Sequence, residues 1–502
     1  MLAKVRSATV LGVEGHSVRV EVHVAQGLPS FAIVGLPDAS CRESRDRVRA
    51  AVQSSGFEWP QQRVTVNLAP TNLRKVGSGL DLAMAVAHLV ATRQLSAPLT
   101  EGRGYLGELG LDGSVRAVPG VLPALDRLDD VVPVVAMANL AEARLVRPDS
   151  VGVESLRQLY SALRGEAPWP EPPPASAVPL EPTPTDLSDV QGHVIARTAL
   201  EVAATGGHHL LMTGPPGAGK TMLAERLVGI LPDLDEHNAI QVSRVHSVAS
   251  QLRAEHGLPT RPPFRSPHHT ASLVAMIGGG SALLRPGEIS LASGGVLFLD
   301  ELGEFPATHV DALRQPLEQG VVHLSRALHH VTLPASFLLV AATNPCPCGL
   351  GRWGPCNCTP GQLARYRRRL SGPVLDRFDL RIEVDPPDPA DVFSSATPGE
   401  SSSTVRQRVA RARARAVARG VSANRHLRGD ALEAHAPLSA AGRDLLRTAL
   451  GAGRLSMRGA QRVRAVALTL CDLAGDEVPL GPERLGEALA LRGAEPRAEQ
   501  FA

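Results

Sequence analysis

The chain has 502 residues, of which 43% are hydrophobic and 20% charged, with a formal net charge of +2. That length exceeds one ordinary core and that apolar share can fill several, which excludes a disordered or fibrous chain and predicts two to four globular domains. The near-neutral balance neither demands a nucleic-acid partner nor rules out a local basic face.

At the N-terminus, Lys4, Arg6 and Glu14 leave no apolar run long enough for a secretion signal. No later run approaches the ~20 apolar residues of a membrane span, so a cytoplasmic protein with no membrane partner is expected. Residues 1–165 alternate strand-like runs (Ser17–Ala25, Arg63–Leu68) with helix-like ones (Ala39–Gln53, Leu80–Thr92), the pattern of an α/β domain. A proline-rich linker covers 166–186, since PWPEPPPASAVPLEPTP builds neither helix nor sheet. A nucleotide-binding segment spans 187–385. A flexible connector rich in Pro, Ser and Asp follows over 386–404, and 405–502 has the Ala/Leu/Arg composition and spacing of an all-α domain.

In the middle segment the apolar run His209–Thr213 leads into Gly214-Pro215-Pro216-Gly217-Ala218-Gly219-Lys220-Thr221 and then into helical MLAERLVGI. Strand, glycine loop and helix in that order form a phosphate loop: backbone N–H groups wrap the phosphates of ATP, and the helix N-terminus adds partial positive charge. Lys220 is expected on the β- and γ-phosphates and Thr221 on Mg²⁺. Further on, GVLFLDE (Gly295–Glu301) runs four apolar residues into two carboxylates, as where a buried parallel strand ends at a site. Asp300 would hold Mg²⁺ and Glu301 would act as general base on water.

A third apolar run, Phe337–Ala342, ends at Thr343-Asn344. Asn344 either positions the attacking water or belongs to a plain turn before Pro345. Arg377, between Asp376 and Asp379, reads either as a surface ion pair or as an arginine finger reaching a neighbouring subunit. Arg458, near the start of a helix that also carries Arg462 and Arg464, is a surface charge or a lid arginine folding back over the phosphates of its own subunit.

Four of six cysteines, Cys346, Cys348, Cys356 and Cys358, fall on one Gly/Pro-rich loop. In a reducing compartment they form a candidate tetrahedral Zn²⁺ site, with unligated thiols as the alternative. A zinc clip would bring Arg352 and Trp353 to the loop tip, within reach of DNA. Arg408, Arg411, Arg415 and Arg419 recur at helical steps, giving a solvated basic face or a set of phosphate contacts. His268 and His269 read as loop-packing residues.

These motifs, with FRSPHHT (Phe264–Thr270), PGEISLA before the acidic strand, NPCPCG after the third one and LDRFDLRIEV (Leu375–Val384), resemble the magnesium-chelatase-like AAA+ ATPases of the ComM/YifB type over nearly the whole chain. The resemblance implies a multidomain α/β protein: a Lon-protease-like (ribosomal S5 domain 2-like) N-terminal domain, a P-loop AAA+ three-layer α/β/α core and an all-α C-terminal lid. It implies a homo-hexameric ring with ATP between subunits, Lys220, Thr221, Asp300, Glu301 and Asn344 coming from one, Arg377 from the next, and Arg458 serving as lid arginine. Similar proteins are linked to branch migration of branched or single-stranded DNA in natural transformation. The alternative is an ATPase that remodels a protein or a metal-insertion partner. Where the Lon-like domain would carry a Ser–Lys dyad, this chain has Gly79 and Leu122, so no peptidase activity is expected.

Overall fold

The computed structural model describes residues 1–172, 185–280, 284–326, 329–369, 372–386 and 399–493. Most of the proline-rich linker and most of the connector lie outside them.

The N-terminal residues form a seven-stranded sheet, ordered β3-β4-β2-β1-β5-β6-β7. Its strands are β1 (Leu2–Leu11), β2 (Glu14–Ala25), β3 (Ser30–Val34), β4 (Arg63–Ala69), β5 (Arg103–Leu106), β6 (Val132–Ala136) and β7 (Val151–Val153). β1 and β2 pair antiparallel from Leu2↔His23 to Leu11↔Glu14. That pairing carries β2 three residues N-terminal of its predicted start, because the hairpin closes at Gly12-Val13. Helices α1 (Ala39–Ser54) and α2 (Asp81–Ala91) match the predicted helical runs. Asp38 caps α1, its carboxylate accepting from Cys41 N at 2.7 Å. Almost every residue of α2 is buried, as a central helix requires.

A second sheet is wholly parallel and has five strands: β8 (Leu210–Thr213), β9 (Phe264–Arg265), β10 (Val296–Leu299), β13 (Leu338–Thr343) and β14 (Leu380–Glu383), in the order β9-β10-β13-β8-β14. Between β10 and β13 the hairpin β11 (Val321–Arg326) and β12 (His329–Pro334) projects from the sheet. The central strands are apolar on both faces, as strands covered on both sides must be. One continuous buried cluster runs from Leu187 through Met212 and Phe298 to Val463 and Leu491. The helices Ser402–Ala418, Met457–Ala474 and Pro482–Arg492 therefore share a core with the sheet.

The N-terminal residues dock on this second body through the β1–β2 turn and the helix Val121–Leu125, among other contacts. Leu11 and Val13, at the β1–β2 turn, pack against the cluster that holds Val331 and Leu333 of β12. Gly12 adopts φ +65° there, and a Cβ on it would overlap Val331. Helix α3 (Val121–Leu125) meets helix α6 (Glu236–Val248): Gly120 N donates to Ser247 O at 3.1 Å, and Asp126 pairs with Arg244 at 2.9 Å. Leu122, 1% exposed, lies in this seam and donates its N–H to Ser247 Oγ at 3.4 Å. Gly12→Val should therefore lower stability by about 1–3 kcal/mol through overpacking, measured by urea unfolding, and should expose the seam to limited proteolysis.

Candidate functional site

β8 ends at Thr213, and the loop that follows is held by its neighbour strand, Gly214 N donating to Thr343 O at 3.2 Å. Gly217 and Gly219 take φ of +78° and +83°, which lets the chain curl back before helix α5 (Lys220–Ile230) begins. Lys220 is 8% exposed. Its Nζ donates to Gly214 O and Pro215 O, both at 2.8 Å, and to Asn344 Oδ1 at 3.2 Å. Burial pulls its pKa down, while Asp300 and Glu301 nearby pull it back up. The loop residues Gly214, Pro215, Pro216, Gly217, Ala218, Gly219 and Thr221 thus surround an ammonium whose hydrogen-bond partners are neutral oxygens.

Thr221 Oγ1 donates to Asp300 Oδ2 at 2.7 Å, so the predicted Mg²⁺ donors already touch. Two hard oxygens at the end of a phosphate loop fit that ion. Glu301 N donates to Asp300 Oδ1 at 2.9 Å, and Glu301 has φ +51°, an uncommon conformation for a non-glycine residue and one that turns its side chain off the strand axis. Its Oε2 lies 3.1 Å from His269 Nδ1. Tyr366 donates to Asn344 O at 3.1 Å and pairs with Thr343 Oγ1 at 3.0 Å, fixing the end of β13.

Arg377 occupies the opposite edge of the sheet. It precedes β14, just as His208 and His209 precede β8, whereas the phosphate loop follows β8. Four strand residues separate the two edges, roughly 13 Å. There a cavity of about 290 Å³ is lined by Arg377, Arg425, Arg428, Arg458 and Arg462, with Glu318 and Asp379 as its carboxylates. Arg377 pairs with Glu318 at 2.7 Å, and Arg458 approaches the same carboxylate at 3.7 Å. Asp379 is the fixed point beneath them. Its Oδ2 accepts from His209 N at 3.0 Å and its Oδ1 from Arg462 at 2.7 Å. Burial disfavours its charge, but His208, Arg462 and His209 outweigh that and hold its pKa well below the carboxylate range. Arg462 also donates to Arg377 O at 2.6 Å, which ties the helix Met457–Ala474 to the backbone of Arg377.

Three families match the chain: "Magnesium chelatase, subunit ChlI" over residues 186–392, "Subunit ChlI of Mg-chelatase" over 20–131 and "Magnesium chelatase, subunit ChlI C-terminal" over 399–492. Over 98% of its length the chain is 46% identical to an uncharacterized protein of Mycobacterium tuberculosis (98% of that protein) and 42% identical to YifB of Escherichia coli (97% of that protein). It is 41% identical, again over 98% of its length, to competence protein ComM of Haemophilus influenzae (97% of that protein). The chain belongs to the magnesium-chelatase-like ComM/YifB family. Membership in this AAA+ family implies use of a nucleotide with Mg²⁺.

Within that frame the structure revises four sequence expectations. Arg458 does not lie over the phosphate loop of its own chain. Ser456 caps its helix, accepting from Gly459 N at 3.0 Å, and Arg458 sits one turn before Arg462 on the same face, so the Asp379 anchor draws both to the Arg377 edge. The basic helix is not a continuous solvated or phosphate-binding face. Arg408 is held by Glu201 at 2.7 Å and Glu400 at 2.6 Å, and Arg419 pairs with Asp472. Arg352 stacks over Trp353 at 4.6 Å and pairs with Glu383 at 2.6 Å, while Trp353 Nε1 donates to Asp385 at 2.7 Å, which turns both side chains toward the end of β14. His269, read as loop packing, contacts Glu301. The signal for it was the strand Phe264–Arg265: parallel to β10, it must deliver the following loop to the edge where Asp300 and Glu301 emerge.

Cys346, Cys348, Cys356 and Cys358 do converge, all four sulfurs lying within 4.8 Å of one another. Cys346 Sγ is 3.2 Å from Cys348 Sγ and 3.8 Å from Cys356 Sγ. A tetrahedral zinc with Zn–S of ~2.3 Å separates its sulfurs by ~3.8 Å, so the cluster fits that ion.

Two substitutions check this geometry. Arg462→Ala strands the buried Asp379 and should cost about 3–5 kcal/mol in urea unfolding. If His269 orients Glu301 as a base, His269→Ala should slow any nucleotide hydrolysis by roughly tenfold or more while leaving nucleotide affinity unchanged.

Proposed function

We propose that the chain is an ATP-hydrolysing ring motor that acts on DNA. The observation that carries this reading is the separation of two complementary half-sites: a cationic loop with two carboxylates at one edge of the parallel sheet, and clustered arginines at the other. One chain cannot close them on a single nucleotide across the sheet. A closed head-to-tail ring brings each arginine edge to the next subunit's phosphate loop, and a homo-hexamer is the ring we propose.

In this reading Lys220 and the loop N–H groups bind the triphosphate, and Thr221 and Asp300 hold Mg²⁺. Mg²⁺ held by these two residues would supply positive charge against the charge that develops on the phosphate oxygens. Glu301, oriented by His269, takes the proton of the attacking water, and Asn344 orients that water. Arg377 enters from the adjoining subunit. Arg458 works beside it across the same interface, a role changed by its shared contact with Glu318. The four thiols are assigned to zinc.

The same reading divides the chain into a Lon-like N-terminal domain (1–165) without peptidase activity, an AAA+ core (187–385) and a helical lid (405–502), in a cytoplasmic protein. Gly79 and Leu122 supply neither hydroxyl nor ammonium, and Leu122 serves the seam with α6. DNA as substrate is supported by kinship with a protein named for competence, and branch migration of branched or single-stranded DNA during transformation is the activity we assign. Three matches to magnesium chelatase families favour the second reading, a motor that remodels a protein or metal-insertion partner.

Turnover measured with and without branched DNA across a salt series separates the two. The DNA motor is stimulated several-fold, and log binding falls linearly with log salt; unchanged turnover with no salt-sensitive binding favours the remodelling class. Glu301→Gln should keep ATP binding and lower hydrolysis by roughly 10²–10⁴.

A further inference from the structure

The loop from Cys346 to Cys358 has almost nothing of its own to hold it. Its one element is the short turn Gly351–Trp353, and of its side chains Cys346, 2% exposed, goes into the interior while Cys348 and Cys356 are exposed. A segment with only one short turn of regular structure can gain its shape from a staple, and metal binding can supply one.

Two features connect that loop to the nucleotide site. It begins two residues after Asn344, whose side chain accepts from Lys220. It also leans on the phosphate loop itself: a Cβ on Gly349 would come within 2.8 Å of both Cγ and Cδ of Pro216. Gly349 holds that position with φ +81° and with its N–H donated to Cys346 O at 2.9 Å. Gly351 N donates to the Cys346 sulfur at 3.3 Å, so a metal ligand and the two glycines belong to one tight turn. On its far side the loop is tied through Arg352 to Glu383 and Asp385, at the end of β14.

We infer that zinc held by Cys346, Cys348, Cys356 and Cys358 braces the phosphate loop through the Gly349–Pro216 contact and the position of Asn344, so that zinc and ATP bind cooperatively. The inference rests on the zinc and ATP assignments above and adds their coupling. Zinc draws the thiols together, the turn carrying Gly349 is fixed against Pro216, and the loop that must wrap the phosphates is ordered before nucleotide arrives. Loss of the ion leaves Lys220 and the glycines in place but frees the wall that Pro216 rests on. Because coupling between sites is reciprocal, ATP must hold zinc in the protein by the same factor by which zinc improves ATP binding.

The test uses the full chain purified under reducing conditions. Zinc content by mass spectrometry should be one per chain. Stripping the zinc, exchanging into Mg²⁺ buffer and titrating a fluorescent ATP analogue should show affinity weakened about tenfold, within the usual span of coupling energies, and restored by one equivalent of Zn²⁺. In a chelator competition, ATP should slow zinc loss. Gly349→Ala, which leaves every thiol intact and intrudes on Pro216, should keep its zinc and lose nucleotide affinity. Full zinc content with ATP affinity indifferent to its removal, or a Gly349→Ala protein that binds ATP like the parent, overturns the coupling while leaving the zinc assignment standing. Absence of zinc defeats that assignment and the coupling with it, and a zinc-loaded parent protein that binds no ATP defeats the ATP reading instead.

Discussion

An ammonium enclosed by neutral oxygens is the constraint on which this structure turns. Lys220 is buried at the start of a helix and donates to two loop carbonyls and one amide oxygen, with the nearby carboxylates of Asp300 and Glu301 sensed through space. Burial of a cation in that setting is costly, and the carbonyls offset only part of the cost. A polyphosphate satisfies it. The helix N-terminus and the outward N–H groups of the loop add to the same field, so the loop is shaped by the anion it is meant to receive. The acids at the end of β10 act on the lysine through space, and Asp300 accepts from Thr221 instead.

The second constraint is the polarity of a parallel sheet. Every strand of the core points the same way, so groups that follow strands and groups that precede them lie on opposite edges. The phosphate loop, Asp300, Glu301 and Asn344 follow strands. His208, His209, Arg377 and Asp379 precede them. Asp379 fixes the arginine edge, because one buried carboxylate joins β8, β14 and the helix of Arg458 and Arg462. Among the described residues no helix is long and apolar enough to cross a membrane.

The parts of the site that were legible in the sequence are those encoded contiguously. GPPGAGKT and FLDE each combine a strand end with its functional side chains, so local pattern alone located Lys220, Thr221, Asp300 and Glu301. Thr343-Asn344 is legible for the same reason, and the two strands and two helices read in the first 165 residues lie within three positions of their observed bounds, while the other strands of that sheet carry no comparable pattern. What escaped depended on contacts distant in the chain. Arg458 reads from its neighbours as a surface charge or a lid arginine, because nothing near it in sequence reveals the Asp379 anchor some eighty positions away. Arg408 and Arg419 formed a plausible basic stripe until Glu201, Glu400 and Asp472 took them. His269 lay in a loop whose destination is set by the pairing of Phe264–Arg265 with β10. The docking of Leu11 and Val13 on the β11–β12 hairpin likewise joins segments some three hundred residues apart, and no periodicity encodes it.

Cleavage at a boundary shared by two chains is the central claim, and subunit mixing tests it most directly. Arg377→Ala and Lys220→Ala proteins are assayed for ATP hydrolysis separately and then after co-assembly. Each alone should be inactive, and the mixture should regain activity, since random assembly in equal proportion leaves up to about a quarter of the interfaces with both groups intact. A mixture as inactive as its parents, despite demonstrated co-assembly, would contradict the account.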